Sequence, residues 1–134
     1  MRACLIVFGF ALALAGCRSS AVPEPEVSRP GDDGALSTME RVAVAAQRCW
    51  FAAPDPRFAG LTMSPELTSH SGKPRILAVP RGNIGGLPKL VVEASGNPAR
   101  LNAFGPMMDG VERARISSDV TRWASGNSSC SVSA

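Results

Sequence analysis

Tyrosine is absent from this chain, histidine occurs once, and only 5 % of the residues are aromatic. A core built from it must lean on Val, Leu, Ile, Met and Ala, and a stacking surface for sugars or bases is not expected. The lone histidine, His70, excludes a multi-histidine metal site and leaves one imidazole for acid–base chemistry. Charged residues make up 19 %, and the formal net charge of +3 is scattered rather than gathered into a stripe. That pattern speaks against nucleic acid as a partner. Outside the N-terminal stretch, nothing approaches the roughly 18 continuous apolar residues that a membrane-spanning helix needs.

That N-terminal stretch is the first positive signal. Met1-Arg2 is short and positive, and Leu5 to Gly16 reads LIVFGFALALAG, apolar throughout. This is the length of a signal-peptide core and too short to cross about 30 Å of hydrocarbon. The small residues Ala15 and Gly16 then precede Cys17. Leu14-Ala15-Gly16-Cys17 resembles the lipobox of bacterial lipoproteins at every position. The resemblance implies signal cleavage between Gly16 and Cys17, a diacylglyceryl thioether on the Cys17 sulfur, and N-acylation, as by palmitate, of the new terminus. Two or three acyl chains hold a protein stably on a bilayer, at about 0.8 kcal/mol per buried methylene. Arg18 stands where an Asp would resemble an inner-membrane retention signal. The expected location is therefore the outer membrane, with the folded part facing the periplasm.

Cysteine arithmetic agrees. Of four cysteines, Cys4 lies in the signal segment and Cys17 carries lipid, which leaves Cys49 and Cys130. An even pair in an oxidising compartment is expected to form a disulfide. It would close a loop of roughly 80 residues, worth on the order of 4 kcal/mol. A metal site would need more ligands, and a redox pair would more often read Cys-x-x-Cys. No metal and no cofactor are expected.

The organisation read from composition is a signal peptide over 1–16, a lipidated terminus and linker over 17–36, and one small domain over 37–134. Arg18 to Leu36 is rich in Pro, Glu, Ser, Gly and Asp, too polar to fold alone. Ser37-Thr38-Met39-Glu40 matches a capping box, and Met39, Val42, Ala43, Ala46, Cys49 and Trp50 recur at helical spacing. The spacing predicts a helix from Thr38 to about Trp50. Phe58 to Met63 alternates as a strand would, with Ser64-Pro65-Glu66 as its interruption. Arg75 to Val79 and Leu90 to Ala94 read as strands, joined by a Gly82–Gly86 hairpin loop. After Asn97-Pro98, the 3-4-3 spacing of Leu101, Phe104, Met108 and Val111 favours a helix broken at Gly105-Pro106. A hairpin is the rival parse, with strands over 100–104 and 111–116 and Asp109-Gly110 as turn. Ser117-Ser118-Asp119 is placed to cap a short turn carrying Val120 and Trp123, ended by Gly126.

The expected fold class is α+β: a small antiparallel sheet of about three strands packed against two helices and stapled by one disulfide. The helix ending in QRCW and the strand-to-helix join EASGNPARLNAF resemble the C-terminal domains of TonB/TolA-type proteins. That resemblance covers Leu36 to about Ile116 and implies docking of envelope partners through a sheet edge.

No residue set for catalysis stands out. His70 lies in a polar loop between Ser69 and Ser71. Nothing in the spacing of Glu66, Glu93, Asp109 and Glu112 pairs two of them for acid–base work. The Gly82–Gly86 loop lacks the Gly-Lys-Ser/Thr end of a phosphate loop. Arg113, Arg115 and Arg122 read as a solvated basic face. The expectation is a lipid-anchored, non-enzymatic interaction or accessory module of an envelope or secretion complex, partnered by the membrane and an envelope protein. The alternative is a periplasmic small-ligand-binding or hydrolytic lipoprotein using His70 with Ser69 or Ser71.

Overall fold

A computed structural model describes residues 33–53, 55–68 and 71–131. Helix α1, Ala35–Ala46, runs straight into a π-helical segment, Gln47–Ala52. A short 3-10 turn, Pro56–Phe58, leads into four strands: β1 Leu61–Glu66, β2 Arg75–Pro80, β3 Leu90–Ser95 and β4 Arg100–Phe104. A second 3-10 turn, Pro106–Met108, precedes helix α2, Arg113–Ala124. The strands form one antiparallel meander in the order β1-β2-β3-β4. The class is α+β with two helices and one Cys49–Cys130 bridge; the sheet has four strands where the sequence suggested about three.

Strand register decides which side chains meet the helices. Met63 lies opposite Ala78, Ile76 opposite Val92, Ala78 opposite Leu90, and Ala94 opposite Leu101. These residues share one face and pack with Met39, Val42, Ala46, Ile116, Val120 and Trp123 of the helices. On the other face Val79 and Val91 are buried too. Apolar residues on both faces explain why β2 and β3 read as near-continuous aliphatic runs.

Three expectations are corrected by tertiary context. Ser37 does not cap α1: the helix starts at Ala35, Gly34 is the N-cap residue, and Ser37 Oγ donates to the Gly34 carbonyl. The start is set instead by pairing with the β3–β4 turn, through Ala35 N–H to Gly96 O (3.0 Å) and Ala99 N–H to Asp33 O (2.9 Å). The folded unit thus takes in Asp33–Leu36, which composition assigned to the linker.

Pro65 does not interrupt β1. The bond from Arg81 N–H to Gly60 O (2.8 Å) fixes the alternation of the β1–β2 ladder. By that alternation Thr62, Ser64 and Glu66 turn their main-chain groups toward β2, whereas Leu61, Met63 and Pro65 turn theirs outward. Proline's missing N–H falls on the open edge, where a strand tolerates it. Phe58, expected to begin this strand, sits in the preceding 3-10 turn and is buried.

The segment after Asn97 is neither the favoured helix nor the full rival hairpin. Residues 100–104 are a strand, as the rival parse had it, but they pair with β3, and 113–124 is a helix. Ser117-Ser118-Asp119 lies inside that helix rather than capping it. Gly105 makes the exit from β4 possible: its φ is 115°, and a Cβ there would stand 2.9 Å from the Lys89 carbonyl oxygen. Gly105→Ala should therefore cost about 2 kcal/mol or more, read as a lowered denaturation midpoint at constant m-value.

Candidate functional site

Where α1 ends, the chain gathers most of its aromatic rings. Trp50 stacks on Phe58 at 4.6 Å between centroids, tilts against Trp123 at 4.8 Å, and Phe51 meets Phe58 edge-on at 5.2 Å. Cys49 joins Cys130 beside them, with Cα atoms 5.3 Å apart. The bridge predicted from cysteine parity is present. It fastens the irregular tail after α2 to the end of the first helix. Trp123 Nε1 donates to the Ser129 carbonyl (2.9 Å), as does Arg122 Nε (3.1 Å).

An ionic cluster closes over the rings. Asp119 is 1 % exposed; it accepts from Trp50 Nε1 (2.9 Å) and from Arg122 Nη2 (2.5 Å). Asp55 accepts from the Arg57 side chain and backbone N–H. Arg115 stands between the two acids, 3.9 Å from Asp55 and 4.0 Å from Asp119, and Arg57 reaches Glu112 at 3.5 Å. Three carboxylates face three guanidiniums, so the charges are spent on one another. Arg115 and Arg122 are thus not the solvated basic face expected from sequence. Arg113 is taken up as well, donating to the Met108 carbonyl (2.6 Å).

Burial pushes the Asp55 carboxyl up, but the Arg57 side-chain and backbone bonds and the charges of Arg57 and Arg115 outweigh it and hold it below its ordinary value of 3.8. A carboxylate with a depressed folded value contributes stability that is complete above the ordinary value and lost as pH falls through the folded one. Urea unfolding from about pH 5 to about pH 3 should therefore show a steeper loss for the wild type than for Asp55→Asn.

The other expected site residues are placed as follows. Gly16 and Cys17, and Ser69 with His70, lie outside the described residues. Glu66 pairs with Arg75 and Glu93 with Lys73, both on the outer face of the sheet. Gly82–Gly86 does join β2 to β3. Among the described residues, no group of three His, Cys, Asp or Glu side chains gathers to hold a metal. No helix of the described residues is long and apolar enough to cross a membrane.

No protein family, curated protein or solved structure matches the chain.

The surface of the domain has two features with no signature in the sequence. One end of the sheet collects the β2–β3 loop, the exit from β4 and the loop before α2, tied together by Met107 N–H to Lys89 O (3.0 Å). Ile84, Leu87 and Val111 stand there 68 %, 87 % and 92 % exposed. Glycine and proline around them mark loops but do not say which apolar residues stay in water. The second feature is a groove of about 310 Å³ between α1 and the tail, lined by Arg41, Val44, Ala45, Trp123 and Ser128.

Proposed function

We propose that this chain is a lipid-anchored protein of the bacterial cell envelope whose small domain docks another envelope protein and carries out no reaction of its own. The Cys49–Cys130 bridge is the observation that carries this reading. Disulfides of this kind persist in oxidising compartments, which is where the Leu14-Ala15-Gly16-Cys17 motif would deliver the chain. With Cys17 acylated and Cys4 removed, the bridge consumes the remaining thiols.

The distribution of apolar surface supports docking. Ile84, Leu87 and Val111 share one end of the sheet, and exposed apolar patches on small domains commonly mark contact sites. Arg81 and Lys89 flank this end without an ion pair among the described residues. Asp33, where the described chain begins, lies at the opposite end, against the β3–β4 turn. A tether leaving there joins the domain at the end away from the apolar one and leaves that surface free for a partner.

Two measurements test the reading. Mass spectrometry of native material should find a chain starting at Cys17 with acyl groups on its sulfur and amine. A photo-crosslinker at Leu87 in intact cells should trap one defined envelope protein, and one at Ser118, on α2, should not. A start elsewhere with a bare Cys17 thiol sinks the anchor, and absence of any defined adduct at Leu87 sinks the docking role.

A further inference from the structure

We infer that β4 is a self-pairing edge: two copies of this chain join β4 to β4, antiparallel, about a two-fold axis at Asn102. Ala94 N–H donates to Pro74 O (3.0 Å), so Leu90, Val92 and Ala94 turn their N–H and C=O groups toward β2. Val91, Glu93 and Ser95 then turn theirs toward β4 and occupy Phe104, Asn102 and Arg100. Leu101 and Ala103 are left with main-chain groups pointing away from the sheet. No loop or helix among the described residues hydrogen-bonds to them.

These outward groups fit one symmetric register. With Asn102 opposite its twin, Leu101 of one copy faces Ala103 of the other, and both pairs fall where hydrogen bonds form. Four main-chain bonds close the joint. On the helix side Leu101 meets Ala103. On the outer face Arg100 meets the exposed Phe104 ring, a favourable cation–π pairing, and Asn102 meets Asn102. No like charges oppose each other across the joint. Arg100 enters no ion pair among the described residues. The neighbouring helix offers Ser117 and Thr121 beside the edge, side chains short enough for a second copy to approach.

The contrast with β1 sharpens the assignment. Edge strands are usually blunted by proline, bulges or charge. β1 carries Pro65 with its nitrogen on the open side; β4 carries no proline, and its one charge, Arg100, falls opposite Phe104 in the self-paired register rather than opposite its twin. One edge of the sheet is closed to pairing and the other is left open with a self-complementary sequence.

Cysteine crosslinking of the full chain in intact cells, oxidised with copper phenanthroline, tests the register. Asn102→Cys should give a covalent dimer, because residues facing in a non-hydrogen-bonded antiparallel pair have Cα atoms about 4.5 Å apart. Arg100→Cys should not, because its twin lies about 13 Å along the strands. Adding Ala103→Pro to Asn102→Cys removes an outward N–H without touching the β3–β4 ladder, and should cut the yield about fivefold or more. Sedimentation of the purified chain in mild detergent gives an independent reading. Asn102→Lys and Asn102→Asp should each weaken self-association, and their equimolar mixture should restore it. Equal crosslinking at both positions, no dimer at Asn102→Cys, or association indifferent to all of these variants would overturn the proposal.

Discussion

Asp119→Ala is expected to destabilise the domain by about 3–5 kcal/mol, the range for removing one partner from a buried ionic network. The side chain is 1 % exposed and is the common acceptor for an indole N–H and a guanidinium. Its loss leaves Trp50 Nε1 buried without an acceptor and Arg122 without its counter-charge, and Arg115 loses one of the two acids it stands between. With total stabilities of about 5–15 kcal/mol, such a loss approaches unfolding. The gentler Asp119→Asn keeps an oxygen for Trp50 but no charge for the arginines, and should fall between alanine and wild type. A double-mutant cycle of Asp119→Ala with Trp50→Phe isolates the indole bond, because each single change removes it. If the indole bond matters on its own, the coupling energy should be about 0.5 kcal/mol or more. Urea midpoints for the four proteins, at equal m-values, provide the measurement. An Asp119→Ala protein as stable as wild type would mean that water satisfies these groups.

This residue also shows how far the sequence could be read. Asp119 follows two serines, and from composition alone the trio looks like a helix cap. It sits in mid-helix because its partner, Trp50, lies 69 residues away, a distance no local pattern encodes. The same limit governs Ser37-Thr38-Met39-Glu40, whose capping-box spacing is overruled when the β3–β4 turn grips Ala35. Between Leu101 and Val111 the apolar positions satisfied a helical period, while Leu101 and Ala103 alternating with exposed neighbours satisfied a strand. Over so short a segment periodicity cannot choose, and the open face of β3 decided. What was legible rested on strong, redundant signals. Leu90, Val92 and Ala94 mark the central strand, and Pro80 closes its neighbour. The parity of Cys49 and Cys130 gave the bridge. The apolar end and the open β4 edge were not legible, because exposure and main-chain direction depend on the assembled sheet.

An effect of comparable size on folding should come from that bridge. Cys49 and Cys130 are 81 positions apart, and restraining so long a loop removes unfolded-state entropy worth about 4 kcal/mol. The location magnifies the result. From Asn127 to Ser131 the tail has no regular structure, yet it returns to place the Ser129 carbonyl over Trp123 and Arg122 and the Ser128 carbonyl by Arg48. Each of those bonds contributes about 1 kcal/mol at best, less than the entropy of ordering the residues that bear them. Without the disulfide the tail should lift from the domain and expose one side of Trp123. The Cys49→Ala/Cys130→Ala protein should therefore lose about 4 kcal/mol by denaturant titration. Amide exchange should accelerate first over 127–131 and the end of α2. Reduced wild type should lose slightly less, since it lacks the covalent link but keeps the buried Cys49 sulfur. A double variant within about 1 kcal/mol of oxidised wild type would show that the tail is held by its hydrogen bonds. The expected result has a cellular counterpart: a domain that depends this heavily on one disulfide is secure only where that disulfide stays oxidised, and would be marginal in a reducing cytosol.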